Sequence, residues 1–302
     1  MYVATNTHIL VPEFEYLQPS SLEEVFLHLS EHGKQARLMA GGTDLLVQMK
    51  MGRASPTFLI SLARIQELSG FTSNEESGGL TVGATTSINS VAGSKLVRQR
   101  YTALAEACDA FSTVPIMIMA TLGGNVCNAS PAADAAVALL AFDAGLDLVS
   151  REGRRVVPLN EFLKGPGQTA LREGEILHSV VLPGAVEGSG SAFLKISRVA
   201  ADISKVCGAV RLVRDGDRVV ECRIALGAVA PTPMRAGGAE ARLTDRPFDL
   251  DGAEEAVRIA REEVKPITDV RATREYRNHV SGVVVRDALL TAWHRSGGGS
   301  VK

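Results

Sequence analysis

The chain of 302 residues is 45% hydrophobic and 22% charged, with a formal net charge of −2. This is the composition of an ordinary globular protein. Because the net charge is near neutral, we do not expect electrostatic binding to nucleic acid or to anionic membranes. The length suits two domains better than a single hydrophobic core. The first eight residues lack the features of a secretion signal and no apolar run approaches the ~20 residues that span a bilayer, so we expect a cytoplasmic protein.

The first predicted elements are a surface helix, a short strand and a glycine-containing loop. The helix is predicted from Ser20 to Gly33, because serine caps precede apolar residues at helical spacing. A strand at 36–39 leads into the loop Ala40–Leu46, which contains a Gly-Gly pair, and then into a helix start. Asp44 in this loop is expected to cap that helix.

A second Gly-Gly pair lies in the stretch Ile118–Asp134. Before it, strands are predicted at 57–62 and 80–85, and helices from 87 and at 101–110. Within the stretch, an apolar run at Ile118 resembles a strand, Gly123-Gly124 a loop, and Pro131 a helix start. That geometry can place backbone N–H groups around a phosphate, although a tight turn between packed elements fits the stretch equally well.

The second half of the chain changes from mixed helices and strands to a sheet-rich pattern. A hairpin is predicted at 146–157, an Asp-Gly turn at Arg214–Arg218, a flexible connection at 184–190 and two final helices at 250–264 and 273–293. The predicted fold is α+β, with a first domain over 1–174, in parts of about 1–60 and 61–174. A second domain covers 175–295, and residues 296–302 are expected to be a disordered tail.

The chemistry that the sequence allows is binding of a pyrophosphate that is not transferred. Neither Gly-Gly loop has the lysine of a P-loop or the GxGxxG pattern. No GxSxG or HExxH motif is present, and the four cysteines form no CxxC pair, so a cofactor is expected to carry any reactivity. His28 and His32 stand at helical spacing without an acidic third ligand in a convincing register, and no metal site is predicted.

Five segments together resemble the FAD-binding medium subunit of the molybdenum hydroxylases. This family includes xanthine dehydrogenase, carbon monoxide dehydrogenase and dehydrogenases of nicotinate and other heteroaromatic compounds. The resemblance extends from about residue 10 to residue 293, and its segments are Ala40–Leu46, Thr121–Asn125, Ala129–Asp134, Glu175–Leu177 and Phe193–Arg198.

The resemblance implies non-covalent FAD in a two-part domain of the vanillyl-alcohol-oxidase (PCMH) type, followed by a small C-terminal domain of a sheet with helices. One implied loop wraps the pyrophosphate and ribityl region, a second binds phosphate, and single residues contact the adenine, the cofactor and the flavin ring. In the order of these roles, the implied residues are Leu38, Met39, Ala40, Gly41, Gly42, Thr43, Asp44 and Leu45; Thr121, Leu122, Gly123, Gly124 and Asn125; Phe111; Asp134; and Leu177 with Lys195. Lys195 could instead be an exposed strand residue.

The resemblance further implies an oxidoreductase of three components. A large partner with molybdopterin oxidises the substrate, and a small partner with [2Fe-2S] clusters passes electrons to FAD, which gives them to NAD⁺, O₂ or another acceptor. A dimer of heterotrimers is expected. Thr43-Asp44 replaces the His-Ser of the carbon monoxide enzymes, and Gly123–Asn128 looks closer to the purine and heteroaromatic branch. Gly124→Val is predicted to abolish FAD retention.

Two alternatives stay open on the sequence. One is a stand-alone FAD oxidoreductase of the same flavin fold, which would need its own acid-base residues or a covalent flavin link. The other is a nucleotide-binding module without redox turnover. Reduction of a bound flavin, with and without partner subunits, separates the three hypotheses.

Overall fold

The structure, a computed structural model that describes residues 13–299, begins with a small parallel sheet. Its strands β1 (Glu15–Leu17), β2 (Ala36–Met39) and β3 (Phe58–Ser61) lie in the order β1-β3-β2. Helix α1 (Leu22–His32) connects β1 to β2, and α2 (Leu45–Lys50) connects β2 to β3. The predicted capping of α1 is confirmed, because the Ser21 hydroxyl accepts a hydrogen bond from the Glu24 N–H.

A second, antiparallel sheet follows, and its central strand comes from late in the chain. The order is β4-β5-β10-β6-β7, so the strand at 176–182 lies between two much earlier strands. The boundary that the sequence predicts at residue 175 would cut this sheet, and the strand pairing extends the first domain through Leu182. The strands are β4 (Phe71–Ser73), β5 (Leu80–Gly83), β6 (Gly145–Ser150), β7 (Gly153–Pro158) and β10 (Ile176–Leu182).

Six helices between β5 and β6 pack around the largest hydrophobic core. The strand predicted at Ile118 is wrong, because that apolar run forms the end of a helix with Pro115 in its first turn. A short apolar run does not by itself distinguish strand from helix. The helices are α3 (Ile88–Gly93), α4 (Lys95–Arg100), α5 (Thr102–Asp109), α6 (Val114–Met119), α7 (Leu122–Cys127) and α8 (Asp134–Ala141); α9 (Leu159–Phe162), β8 (Leu163–Gly165) and β9 (Gln168–Thr169) follow β7.

The C-terminal domain is a second antiparallel sheet with helices against it, as expected. The predicted Asp-Gly hairpin is confirmed, with Asp215 paired to Arg218. Its strands are β11 (Ser189–Ile196), β12 (Val206–Asp215), β13 (Arg218–Gly227), β14 (Met234–Arg235) and β15 (Arg246–Pro247), and its helices are α10 (Gly237–Leu243), α11 (Leu250–Glu263) and α12 (Arg274–Arg295).

Helix α12 lies directly on the strand that follows the glycine-rich connection. A Cβ added at Gly190 would lie 2.0 Å from the Ala292 carbonyl oxygen, so the end of the segment predicted to be flexible is packed on the helix. Beyond α12, Ser296 is buried and the Trp293 indole donates a hydrogen bond to the Gly299 carbonyl. The expected disorder therefore does not hold for 296–299, while 300–302 lie outside the described residues.

The two domains share part of one core. Phe193, Cys207 and Ala209 of the C-terminal sheet belong to the same cluster of buried side chains as α5 and α8. This packing joins the C-terminal sheet to the helices of the first domain. Among residues 13–299, every helix is too short or too polar to cross a membrane.

Candidate functional site

A cleft separates the first lobe of the structure (residues 13–61) from the second lobe (residues 62–182). It consists of two adjoining cavities of about 630 and 530 Å³. Because the cavities share lining residues, we treat them as one space and call it the interlobe cleft. The shared residues are Lys34, Arg37, Leu38, Ala40, Gly124 and Cys127.

The loop from Ala40 to Leu45 lines this cleft from the first lobe. No acceptor among residues 13–299 takes a hydrogen bond from the N–H groups of these six residues. Since backbone donors rarely stay unpaired in proteins, consecutive free donors beside a cavity form a suitable site for an anionic ligand. The cofactor contacts expected for this loop stay predictions, and its position and donors are compatible with them.

The Gly-Gly pair of this loop permits a close approach between the lobes. A Cβ on Gly41 would lie 1.8 Å from the carbonyl oxygen of Met119 in α6, and Gly42 has a φ of +71°. Both positions therefore need glycine. Asp44 begins α2 but makes no side-chain capping bond, contrary to expectation. Desolvation raises the pKa of this carboxyl, which lines the cleft.

The second Gly-Gly pair lies in the first turn of α7 and not in a loop. Its N–H groups are already bonded within the protein, so the expected second cradle of backbone donors is wrong. For Gly124 the physical reason is capping by Thr121, whose hydroxyl accepts from the Gly124 N–H at 3.0 Å. The other bonds run from Leu122 to Thr86, from Gly123 to Ala84 and from Asn125 to the Thr121 carbonyl.

The segment Thr121–Asn125 nevertheless contributes a wall to the cleft. Thr121, Gly124 and Asn125 line the larger cavity and Gly123 the smaller one. Leu122 is fully buried beneath this wall. The segment therefore offers a ligand the side chains of Thr121 and Asn125 and the glycines beside them.

Three basic side chains line the larger cavity, and the sequence analysis missed all of them. Lys34, Arg37 and Arg53 line the same cavity as the loop Ala40–Leu45. Within the described part of the chain, no carboxylate lies within ion-pair distance of these three cations, although the chain contains many such pairs elsewhere. In the sequence, Lys34 and Arg37 stand at the start of the strand–loop–helix segment and Arg53 stands just after it. This placement of basic residues around the loop could have identified them.

Phe111 and Leu177 line different parts of the cleft. Phe111 lines the larger cavity and Leu177 the smaller one. Cys127 lines both cavities, and burial raises the pKa of its thiol to about 12. This cysteine is therefore protonated at neutral pH and offers no nucleophile.

Asp134 and Lys195 do not line the cleft. They form a buried ion pair of 2.8 Å, with side chains 6% and 4% exposed. The Lys195 ammonium also donates to the Ala110 carbonyl at 2.8 Å, and the Ser204 hydroxyl donates to Asp134. Burial raises the pKa of Asp134, against the opposing effect of Lys195.

This ion pair involves two residues that are expected to contact the cofactor, and those contacts stay predictions. It joins β11 of the C-terminal domain to the start of α8 and to the segment that carries Phe111. The alternative of an exposed lysine at position 195 is wrong.

Comparisons with known proteins cover nearly the whole chain. A family described as the FAD-binding domain in molybdopterin dehydrogenase matches residues 12–185. A second family, described as the CO dehydrogenase flavoprotein C-terminal domain, matches residues 191–292. The gap between these two matches falls after β10, in agreement with the sheet pairing.

Relatives and solved structures agree with these matches. The carbon monoxide dehydrogenase medium chain of Hydrogenophaga pseudoflava is 33% identical, over 95% of this chain and 99% of the relative. The xanthine dehydrogenase FAD-binding subunit of Escherichia coli O157:H7 is 32% identical, over 90% and 94%. A structure of carbon monoxide dehydrogenase from H. pseudoflava superposes with a TM-score of 0.91 at 34% identity, covering 95% and 99% of the chains.

Proposed function

We propose, because this chain belongs to the FAD-binding subunits of the molybdenum hydroxylases, that its interlobe cleft holds the FAD of such an oxidoreductase. The observation that carries this proposal is the row of N–H donors at Ala40–Leu45 that find no acceptor within residues 13–299, beside Lys34, Arg37 and Arg53, which form no ion pair within the same residues. FAD supplies the electron-accepting group, as cofactors do in most redox enzymes. The chain supplies binding and orientation.

The residues of the cleft fit a long, two-ended ligand with a pyrophosphate near its middle. Backbone donors and cations suit the two phosphates, since hydrogen bonds between charged groups are the strong ones. Phe111 offers an aromatic face for the adenine at one end. Leu38 and Leu177 offer apolar surface for the flavin ring in the smaller cavity. The protonated Cys127 thiol leaves the bound group without a competing nucleophile.

Lys34→Ala is expected to weaken FAD binding about ten-fold or more, since a hydrogen bond to a charged group contributes about 1.5–3 kcal/mol. FAD-depleted protein is titrated with FAD, and binding is followed by quenching of flavin fluorescence at two salt concentrations. Lys50→Ala is the matched control, because Lys50 is exposed on α2 and does not line the cleft. Wild-type protein that binds no FAD would refute the function, whereas equal affinities of the two variants would refute only the role of Lys34.

The proposed partners are a large molybdopterin subunit and a small [2Fe-2S] subunit, arranged as a dimer of heterotrimers. Support comes from relatives that are named as medium chains or subunits. Further support comes from large apolar side chains exposed on the two helices beside the cleft, since such surface often marks an interface. These side chains are Leu46 and Val47 of α2, Met51 directly after α2, and Val114, Ile116, Ile118 and Met119 of α6.

We further propose a purine or another N-heteroaromatic compound as substrate and NAD⁺ or O₂ as acceptor. The support is the motif Gly123–Asn128 and a fold match to quinoline 2-oxidoreductase from Pseudomonas putida 86, with a TM-score of 0.89 and 28% identity over 95% and 99% of the chains. Chains co-purified with this protein are identified, and bound flavin is mixed with candidate substrates. Reduction only in the assembled complex supports the proposal. Reduction of the isolated chain by substrate favours a stand-alone oxidoreductase, and no reduction at all favours a nucleotide-binding module.

A further inference from the structure

The last turn of α1 carries three side chains with the chemistry of a metal site. The ligand atoms of His28, Glu31 and His32 all lie within 4.8 Å of one another, the only such cluster found in residues 13–299. One Glu31 oxygen lies 3.7 Å from Nδ1 of His28 and 4.0 Å from Nε2 of His32. Residues three and four apart share one face of a helix, so this arrangement follows directly from the helical turn.

Two independent observations favour a ligand at this cluster. The His28 Nδ1 atom is buried and has no hydrogen-bond partner among the described residues, and a buried polar atom without a partner is costly. The His32 ring stacks on Phe58 of β3 with centroids 3.7 Å apart, which holds one imidazole in place. A bound cation would satisfy the unpaired nitrogen and use the imidazole that is already held.

We propose that His28, Glu31 and His32 bind one divalent transition-metal ion, with Zn²⁺ as the ion that this ligand set suits best. Two imidazole nitrogens and a carboxylate oxygen are common zinc ligands, and water can complete a tetrahedron. Zn–N distances of about 2.0–2.1 Å require the ligand atoms to move roughly 1 Å closer together, which side-chain rotation at the half-exposed His28 and the exposed Glu31 permits. The ion stabilises the last turn of α1, which the His32 ring packs against Phe58 of β3.

The order His-x-x-Glu-His also occurs in one class of zinc peptidases, where the glutamate acts as a base. None of the three side chains lines the interlobe cleft, although their neighbours Leu29 and Gly33 do. The proposed ion therefore has a structural role at the edge of the cleft. It is independent of FAD and of the partner subunits.

The test uses the full chain without a histidine tag and with Co²⁺ as the spectroscopic probe, followed by displacement with Zn²⁺. One equivalent of Co²⁺ is expected to give visible absorption bands typical of a site with fewer than six ligands, and Zn²⁺ is expected to remove them. His28→Ala, His32→Ala and Glu31→Gln are each expected to weaken binding about ten-fold or more, the effect of losing roughly 1.4 kcal/mol.

His279→Ala is the matched control, because His279 is exposed on α12 and belongs to no such cluster. Circular dichroism and FAD content are measured for every variant. Glu31 is exposed, so Glu31→Gln keeps the test valid if a histidine variant unfolds. Absence of stoichiometric Co²⁺ binding by the wild type, or equal affinity in His28→Ala/His32→Ala, would overturn the proposal without affecting the assignment of the cleft.

Discussion

Gly41→Ala is expected to abolish FAD retention, because one added carbon would separate the two walls of the interlobe cleft. The new Cβ would lie 1.8 Å from the Met119 carbonyl oxygen and 2.6 Å from its carbonyl carbon. Both are backbone atoms of α6, so no side-chain rotation can relieve the overlap. Either the loop Ala40–Leu45 or α6 must shift. In both cases the N–H donors of the loop change their position relative to the opposite wall of the cleft. The measurement is the flavin content per chain after purification with excess FAD.

Gly93→Ala is the control for this substitution. An added Cβ at Gly93, in α3, meets no atom within 4 Å, and alanine in a helix is favoured over glycine by about 0.5–1 kcal/mol. This variant should keep its flavin and its fold. If Gly41→Ala also retained wild-type flavin content, the loop would not be held against α6 in solution.

The structure also changes the expectation for Gly124→Val. A Cβ at Gly124 meets only the Thr121 hydroxyl, at 2.8 Å, and that hydroxyl caps α7. Valine there should disturb one cap and project into the cleft, a smaller effect than the backbone overlap at Gly41. Gly41 is therefore the more stringent of the two glycine positions.

Lys195→Met is expected to lower the free energy of unfolding by about 3–5 kcal/mol, the usual cost of leaving one partner of a buried ion pair. Asp134 would remain buried, with the Ser204 hydroxyl as its polar partner. Flavin content should also fall, because the Ala110 and Phe111 carbonyls lose the donor that holds this segment at the cleft. Urea unfolding at pH 7 and at pH 5 provides the measurement.

The pH dependence of this variant has a definite sign. Burial already raises the pKa of Asp134, and removal of the lysine removes a group that opposes the rise. The folded state then binds a proton more readily than the unfolded state, whose Asp pKa is about 3.9. Stability of Lys195→Met should therefore increase as pH falls from 7 to 5.

Asp134→Asn/Lys195→Met is the matched control, because it removes both charges. It should recover much of the lost stability and show little change between pH 7 and pH 5. A loss below about 1 kcal/mol in Lys195→Met, the range of exposed ion pairs, would contradict the burial of this pair.

Much of the fold follows from patterns that span only a few residues. The capping serine of α1, the Asp-Gly turn before Arg218 and the apolar spacing of the last two helices each depend on neighbours along the chain. These elements are correctly predicted. The apolar run at Ile118 is not, because six residues can pack as helix or strand and the surrounding core decides.

The sequence by itself determined the family, the α+β class and the loop Ala40–Leu45, because these depend on local residue order. Only the tertiary structure decided which donors are free, which cations meet the loop and which charges are buried. Within the second Gly-Gly pair the Gly124 N–H donates to Thr121 and the Gly123 N–H to the Ala84 carbonyl, and Lys195 pairs with Asp134 across 61 positions of sequence. The physical reason is that hydrogen-bond satisfaction and desolvation depend on contacts between segments far apart in the chain.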